Sequence, residues 1–186
     1  SHAAFYLAAG AIGRGEIRLT GLDPHSAQGD RAMVEILRDM GAEIRWEGET
    51  LVSRASKLHG LRVDCAQVPD LVPILAVAMA AAEGESRITG AARLRIKESD
   101  RLSAMAAALT AAGADVSELP DGLIIRGGKR LHAAKIEGCN DHRIVMAMTM
   151  ASEIADGELT ITDAEATAKS APAFWHEFEH LGGLAR

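Results

Sequence analysis

Seven consecutive residues, Arg95-Ile96-Lys97-Glu98-Ser99-Asp100-Arg101, bring three cations and two carboxylates into one short stretch. An apolar pattern at helical spacing, Leu102, Met105 and Leu109, follows at once. The charges therefore sit at the mouth of a helix, which Ser99 or Asp100 can cap by accepting from its free N–H groups. The helix dipole and fixed cations favour a bound anion. Glu98, set among cations, can pair with them or carry a proton. The plainer alternative is a solvated charge run on a surface helix.

Three further stretches place polar residues where helices begin. Asn140-Asp141-His142-Arg143 opens a helix over Ile144–Ile154, with Asn140 or Asp141 as its cap. Arg143 then lies in the first turn, where the dipole favours anions, so a ligand anion or an acidic partner is expected beside it unless it is a surface arginine. His142 reads as a supporting residue. Val68-Pro69-Asp70-Leu71-Val72-Pro73 precedes an Ala-rich helix. Asp70 reads there as a cap, and sequence does not separate a capping carboxylate from a catalytic one. Thr167-Ala168-Lys169-Ser170 precedes the last helix, and Lys169 alone reads as solvated. His176-Glu177-Phe178-Glu179-His180 has the spacing of a zinc-protease helix. That reading is set aside, because no third ligand follows and Phe174, Phe178 and Leu181 mark a buried stripe with both histidines at its edge.

The elements that must position these groups repeat. Gly15-Glu16-Ile17-Arg18-Leu19-Thr20, Gly84-Glu85-Ser86-Arg87-Ile88-Thr89 and Gly157-Glu158-Leu159-Thr160-Ile161-Thr162 each alternate as strands do, and each follows an Ala-rich helical stretch. A second helix comes after each, roughly Asp30 to Met40, Asp100 to Ala112 and Pro172 to Leu181. Gly41 and Gly113 suit the ends of the first two. Two hairpins follow, Ile44–Trp46 with Leu51–Ser53 and Val116–Leu119 with Leu123–Arg126. Pro120-Asp121-Gly122 is the second turn, with glycine expected at positive φ. The chain thus reads as one α/β (α+β) domain, 1–186, with repeats of roughly 1–57, 58–130 and 131–186. The first repeat lacks an opening strand, the third lacks a closing hairpin, and Ser1–Ile12 reads as a helix that begins with the chain. A part of a longer protein is therefore expected.

Arg95–Arg101 resembles the R-[IV]-K-E-[ST]-D-R signature of the 5-enolpyruvylshikimate-3-phosphate synthase family, the 3-phosphoshikimate 1-carboxyvinyltransferases of aromatic amino-acid synthesis. Pro69-Asp70, Asn140–Arg143 and Ala168-Lys169-Ser170 match the P-D, N-D-H-R and A-K-[ST] motifs of the same family. After the lysine, relatives commonly continue Phe-Pro-Asp, where this chain reads Ala171-Pro172-Ala173. The resemblance implies an enolpyruvyl transferase-type domain of βαβαββ units about a pseudo-threefold axis, incomplete at its N-terminal side. It implies the C-terminal portion of a two-domain enzyme that moves the carboxyvinyl group of phosphoenolpyruvate to the 5-hydroxyl of shikimate 3-phosphate. Asp70 and Glu98 would be the catalytic carboxylates. Arg101, Arg143 and Lys169 would hold phosphoenolpyruvate, and Asp70, Lys97 and Arg93 would face shikimate 3-phosphate. His142, Asp141 and Asp100 would support them from behind. The missing N-terminal half would be the partner, and this chain alone would be inactive. UDP-N-acetylglucosamine enolpyruvyl transferase is the alternative enzyme, and a non-catalytic isolated α/β domain the alternative class.

Composition narrows the rest. Aromatic residues make up 3% of the 186 residues against 48% hydrophobic, so the core must be aliphatic. A formal charge of −6 argues against nucleic-acid binding, and any anion must meet a local basic cluster. No apolar run approaches a membrane span. Cys65, in an apparent strand, and Cys139, in an apparent loop, read as free thiols of a cytoplasmic protein. No metal, organic cofactor, nucleic acid or membrane partner is expected, and a monomer is.

Overall fold

The computed structural model describes residues 2–23 and 31–186. Three helices of small and aliphatic residues form its centre: α1 (Ala3–Ile12), α3 (Val72–Ala81) and α5 (His142–Met150). Each is buried over nearly its whole length, and the three pack pairwise against one another. α1 and α3 are apolar on every side and have no face to turn to water, and α5 is almost wholly apolar beyond its first turn, which drives all three inside. Pro73 is harmless in the first turn of α3, because its missing N–H would have had no helical partner.

The outer helices are α2 (Ala32–Asp39), α4 (Arg101–Ala111) and α6 (Phe174–His180). α4 buries Arg101, Leu102, Met105, Ala108 and Leu109, a single stripe at helical spacing. α6 buries Phe174 and Phe178, each contributing about 1.5–3 kcal/mol. Leu181, expected in that stripe, is 49% exposed, because the helix has already ended and the chain turns outward.

Three sheets cover the helices. The first has antiparallel order β1-β3-β2, from β1 (Glu16–Leu19), β2 (Glu43–Glu47) and β3 (Thr50–Arg54). The second has order β4-β5-β7-β6, from β4 (Arg62–Asp64), β5 (Gly84–Thr89), β6 (Asp115–Leu119) and β7 (Gly122–Gly127). The third pairs β8 (Leu131–Ile136) with β9 (Ala155–Ile161) in parallel. The three G-E-x-x-[IL]-T segments fall on β1, β5 and β9. The order β1-β3-β2 repeats β5-β7-β6 in direction, and β8-β9 repeats β4-β5. At the first sheet, the buried Ser53 hydroxyl of β3 donates to the Leu7 carbonyl of α1 at 2.7 Å.

Several local expectations shift. α5 starts earlier than expected, at His142, and gives way to a 3₁₀ turn over Ala151–Ile154. α2 runs from Ala32 to Asp39, and Asp30, the expected start of that helix, lies outside the described residues. Cys65 follows β4 rather than lying in it, its N–H donating to Thr89. Gly41 and Gly113 have positive φ at helix ends, whereas Gly122 does not. A Cβ on Gly122 would come within 1.8 Å of the Ile88 carbonyl oxygen, so close strand approach requires that glycine. No helix among the described residues is long and apolar enough to cross a membrane.

Candidate functional site

Three helix beginnings meet at one place. A 3₁₀ turn, Pro69–Leu71, leads into α3. Asp100 caps α4 by accepting from the Ser103 N–H at 3.1 Å, and Asp141 caps α5 by accepting from the Arg143 N–H at 3.0 Å. Free N–H groups and dipole ends therefore converge on the motif side chains.

Asp70 is the hub. Its Oδ1 lies 3.0 Å from Arg101 Nη1 and 3.7 Å from Lys97 Nζ, and its Oδ2 lies 3.5 Å from Arg143 Nη2. Arg143 Nη1 also donates to the Asp70 carbonyl at 3.1 Å. The expected cap on α3 is absent, because no side-chain bond closes that helix start. Charge-assisted bonds to guanidinium are about twice as strong as neutral ones, so the carboxylate turns to the cations. Glu98 forms the second centre. Its Oε2 lies 2.9 Å from His142 Nδ1 and 4.0 Å from Lys169 Nζ, and its Oε1 lies 3.8 Å from Arg101 Nη2. Lys169 Nζ donates to the Asn140 carbonyl. Lys97, Arg101, Arg143 and Lys169 thus gather around Asp70 and Glu98, although Asp70 and Lys169 lie 99 positions apart in sequence.

The cluster has a floor. Arg101 is 3% exposed and grips Asp141, which is 0% exposed, through Nε at 2.8 Å and Nη2 at 3.2 Å. Ser99 Oγ donates to the same carboxylate at 2.9 Å. Burial pushes the Asp141 carboxyl up, but the bonds and charge of Arg101, the Ser99 hydroxyl and the Arg143 N–H outweigh it and hold it below the usual carboxylate range. Arg101 is therefore buried among carboxylates, with Asp141 beneath it and Asp70 and Glu98 on its outer side. Lys97, Lys169, Asp70 and Glu98 are partly open above it.

The other signature cations differ in role. Arg95 binds Asp100 at 2.9 Å, Glu118 at 2.8 Å and the Leu119 carbonyl at 2.7 Å, tying the signature to the β6–β7 hairpin. Burial raises the Asp100 carboxyl, but the Ser103 N–H and Arg95 bring it below its ordinary value. Arg93 is not drawn into the cluster: its guanidinium is exposed and donates to the Ala66 carbonyl at 3.1 Å.

A metal does not fit here. Glu98, Asp141 and His142 offer ligand atoms within 4.8 Å of one another. Both Asp141 oxygens are already engaged by Arg101, and a cation there would face that guanidinium. His176 and His180 are exposed on α6, while Glu177 between them accepts from the Tyr6 hydroxyl of α1. A groove of about 740 Å³ beside β9, lined in part by Leu159, Trp175 and Phe178, is separate from the cluster and carries no comparable grouping of charges.

The chemistry on offer is anion binding by cations at helix starts, with two partly open carboxylates, Asp70 and Glu98, beside them. Local spacing revealed the motifs but not the depth of Arg101 or the role of Ser99, since their partner Asp141 lies about 40 residues on.

A family model described as EPSP synthase (3-phosphoshikimate 1-carboxyvinyltransferase) matches residues 1–178. The chain is 45% identical over 184 residues to the 3-phosphoshikimate 1-carboxyvinyltransferase of Clostridium novyi, covering 99% of this chain and 42% of that protein. It is 46% identical over 183 residues to the enzyme of that name from Clostridium acetobutylicum, covering 98% and 42%. The structure of EPSP synthase from Acinetobacter baumannii superposes with a TM-score of 0.83 at 33% identity, over 96% of this chain and 44% of that one. The enolpyruvyl transferase NikO from Streptomyces tendae shares the fold, with a TM-score of 0.81 at 19% identity. The chain spans less than half the length of these relatives, 42% and 44% in the first of each kind.

Proposed function

The chain belongs to the EPSP synthase family, and from that premise we propose that it carries the phosphoenolpyruvate side of a 3-phosphoshikimate 1-carboxyvinyltransferase. The observation that carries this reading is the convergence of Lys97, Arg143 and Lys169 on Asp70 and Glu98 at three helix beginnings. The reaction joins the 5-hydroxyl oxygen of shikimate 3-phosphate to C2 of phosphoenolpyruvate. The hydroxyl proton passes to one carboxylate while the other group protonates C3, giving a tetrahedral ketal phosphate. Loss of a C3 proton and cleavage of the C2–O bond then release phosphate. Asp70 and Glu98 are the carboxylate pair, with His142 at 2.9 Å holding Glu98 in place. Arg143 and Lys169 bind phosphoenolpyruvate, a guanidinium being suited to its phosphate or carboxylate. Arg101 lends its charge from beneath, and Lys97 faces the shikimate hydroxyls.

The chain acts as one domain built from three units, roughly 1–57, 58–130 and 131–186, in a cytoplasmic, monomeric enzyme. The remaining length of its relatives supplies the opposite wall of the site. A closed, water-poor site is needed for electrostatic stabilisation to be strong, so this chain by itself is inactive. The test supplies the complementary part of a family member and offers phosphoenolpyruvate with either shikimate 3-phosphate or UDP-N-acetylglucosamine. A carboxyvinyl adduct of shikimate 3-phosphate, identified by mass, is expected. Transfer to the sugar nucleotide would assign the other enzyme, and no transfer to either would leave a non-catalytic domain.

A further inference from the structure

The turn that delivers Asp141, His142 and Arg143 is held in an uncomfortable shape. Cys139 and Asn140, just before the α5 cap, have φ of 55° and 49°, the left-handed region that asparagine visits but cysteine seldom adopts. Two left-handed residues in a row persist only when their surroundings impose them. What imposes them is the chain after β9. Asp163 Oδ2 accepts from the Asn140 N–H at 2.9 Å, and Thr162 Oγ1 accepts from the Gly138 N–H at 3.0 Å. Asp163 is itself left-handed, with φ 56°, which swings its carboxylate back over the turn. It also begins the 3₁₀ segment, Ala164–Lys169, that ends in Lys169, and Lys169 Nζ donates to the carbonyl of the same Asn140.

One carboxylate therefore links the two pieces of chain that carry Arg143 and Lys169. We infer that Asp163 is a positioning residue for the phosphoenolpyruvate end of the site, clamping the 137–141 turn so that Arg143 and Lys169 face one ligand together. This rests on the functional reading above. It assigns Asp163 no contact with substrate.

Two variants separate the clamp from the backbone shape, since glycine and asparagine both tolerate positive φ but only asparagine keeps an acceptor for the Asn140 N–H. In this chain combined with the complementary part of a family member, Asp163→Gly is expected to raise KM for phosphoenolpyruvate about tenfold, equivalent to about 1.4 kcal/mol. KM for shikimate 3-phosphate should stay within about twofold, and Tm should change little. Asp163→Asn should stay close to wild type. Amide exchange across residues 137–143 should accelerate in the glycine variant and not in the asparagine variant. Unchanged KM values in Asp163→Gly, or both KM values rising together with a fallen Tm, would overturn the inference. If the wild-type combination fails to turn over these substrates, the functional reading fails instead, and the exchange comparison alone decides whether the clamp exists.

Discussion

Replacing Arg101 with methionine keeps most of the buried stem and removes the charged fork. Asp141, with 0% side-chain exposure, would lose both guanidinium bonds, at 2.8 and 3.2 Å, and keep only Ser99 Oγ and the Arg143 N–H. Asp70 would lose its 3.0 Å partner as well. Breaking a buried ion pair from one side costs about 3–5 kcal/mol, because the surviving charge stays buried without compensation. At about 2–4 °C per kcal/mol for a chain of this size, Arg101→Met should lower Tm by about 6 to 20 °C. Adding Asp141→Asn to Arg101→Met removes the stranded charge, and the pair should be less destabilised than two independent losses would give. The pH dependence has a definite sign. In the wild type the Asp141 carboxyl is held low, so its contribution is present above the unfolded value of about 3.9 and is lost as pH falls through the folded value. Without Arg101, burial raises that carboxyl instead, so moving from neutrality to about pH 5 should narrow the Tm gap between variant and wild type. Thermal unfolding at both pH values checks this. A loss below about 1 kcal/mol, or a gap that widens at lower pH, would refute the role of Arg101 as the buried counter-charge of Asp141.

Lys169→Met should raise KM for phosphoenolpyruvate more than about tenfold in the combined enzyme while leaving KM for shikimate 3-phosphate nearly unchanged, as steady-state kinetics will show. Cys65 is fully buried, and burial, followed by the nearby Asp64, pushes its thiol up to about 12. A thiol reagent at about pH 8 should therefore label only the exposed Cys139, and slowly, with both thiols counted once denaturant is added. Ser53→Ala removes the buried bond to Leu7 and should lower stability by about 1 kcal/mol, read by denaturant unfolding.

Much of this site is visible in local sequence because helix beginnings are local. Asp100 and Asp141 have the residue type, the position and the following apolar spacing of caps, and both cap. The three G-E segments lie on strands for a similar reason, since alternation is a property of adjacent residues. Asp70 has the same local signature as the two caps yet bonds to three cations, and nothing within a few residues of it distinguishes the cases. Arg101 was legible as a charge but not as a buried one. Its spacing with Leu102, Met105 and Leu109 places it on the inward stripe of α4, a clue that its charge obscures. Of the left-handed pair Cys139-Asn140, only the asparagine has a residue type that suits that region, and the carboxylate that holds the pair lies beyond β9.

The central claim is that this chain supplies one wall of a two-part active site, with Glu98 among its working groups. Phosphate release from phosphoenolpyruvate and shikimate 3-phosphate tests it most directly, measured with the chain alone, with the complementary part of a family member added, and with that part added to Glu98→Ala. The expected result is background release from the chain alone, release in the combination, and background again in the variant. Losing about 3 kcal/mol of positioning already costs more than a hundredfold in rate, so an absent wall should leave nothing measurable. Robust turnover by the lone chain, with the product confirmed by mass, or a fully active Glu98→Ala combination would contradict it.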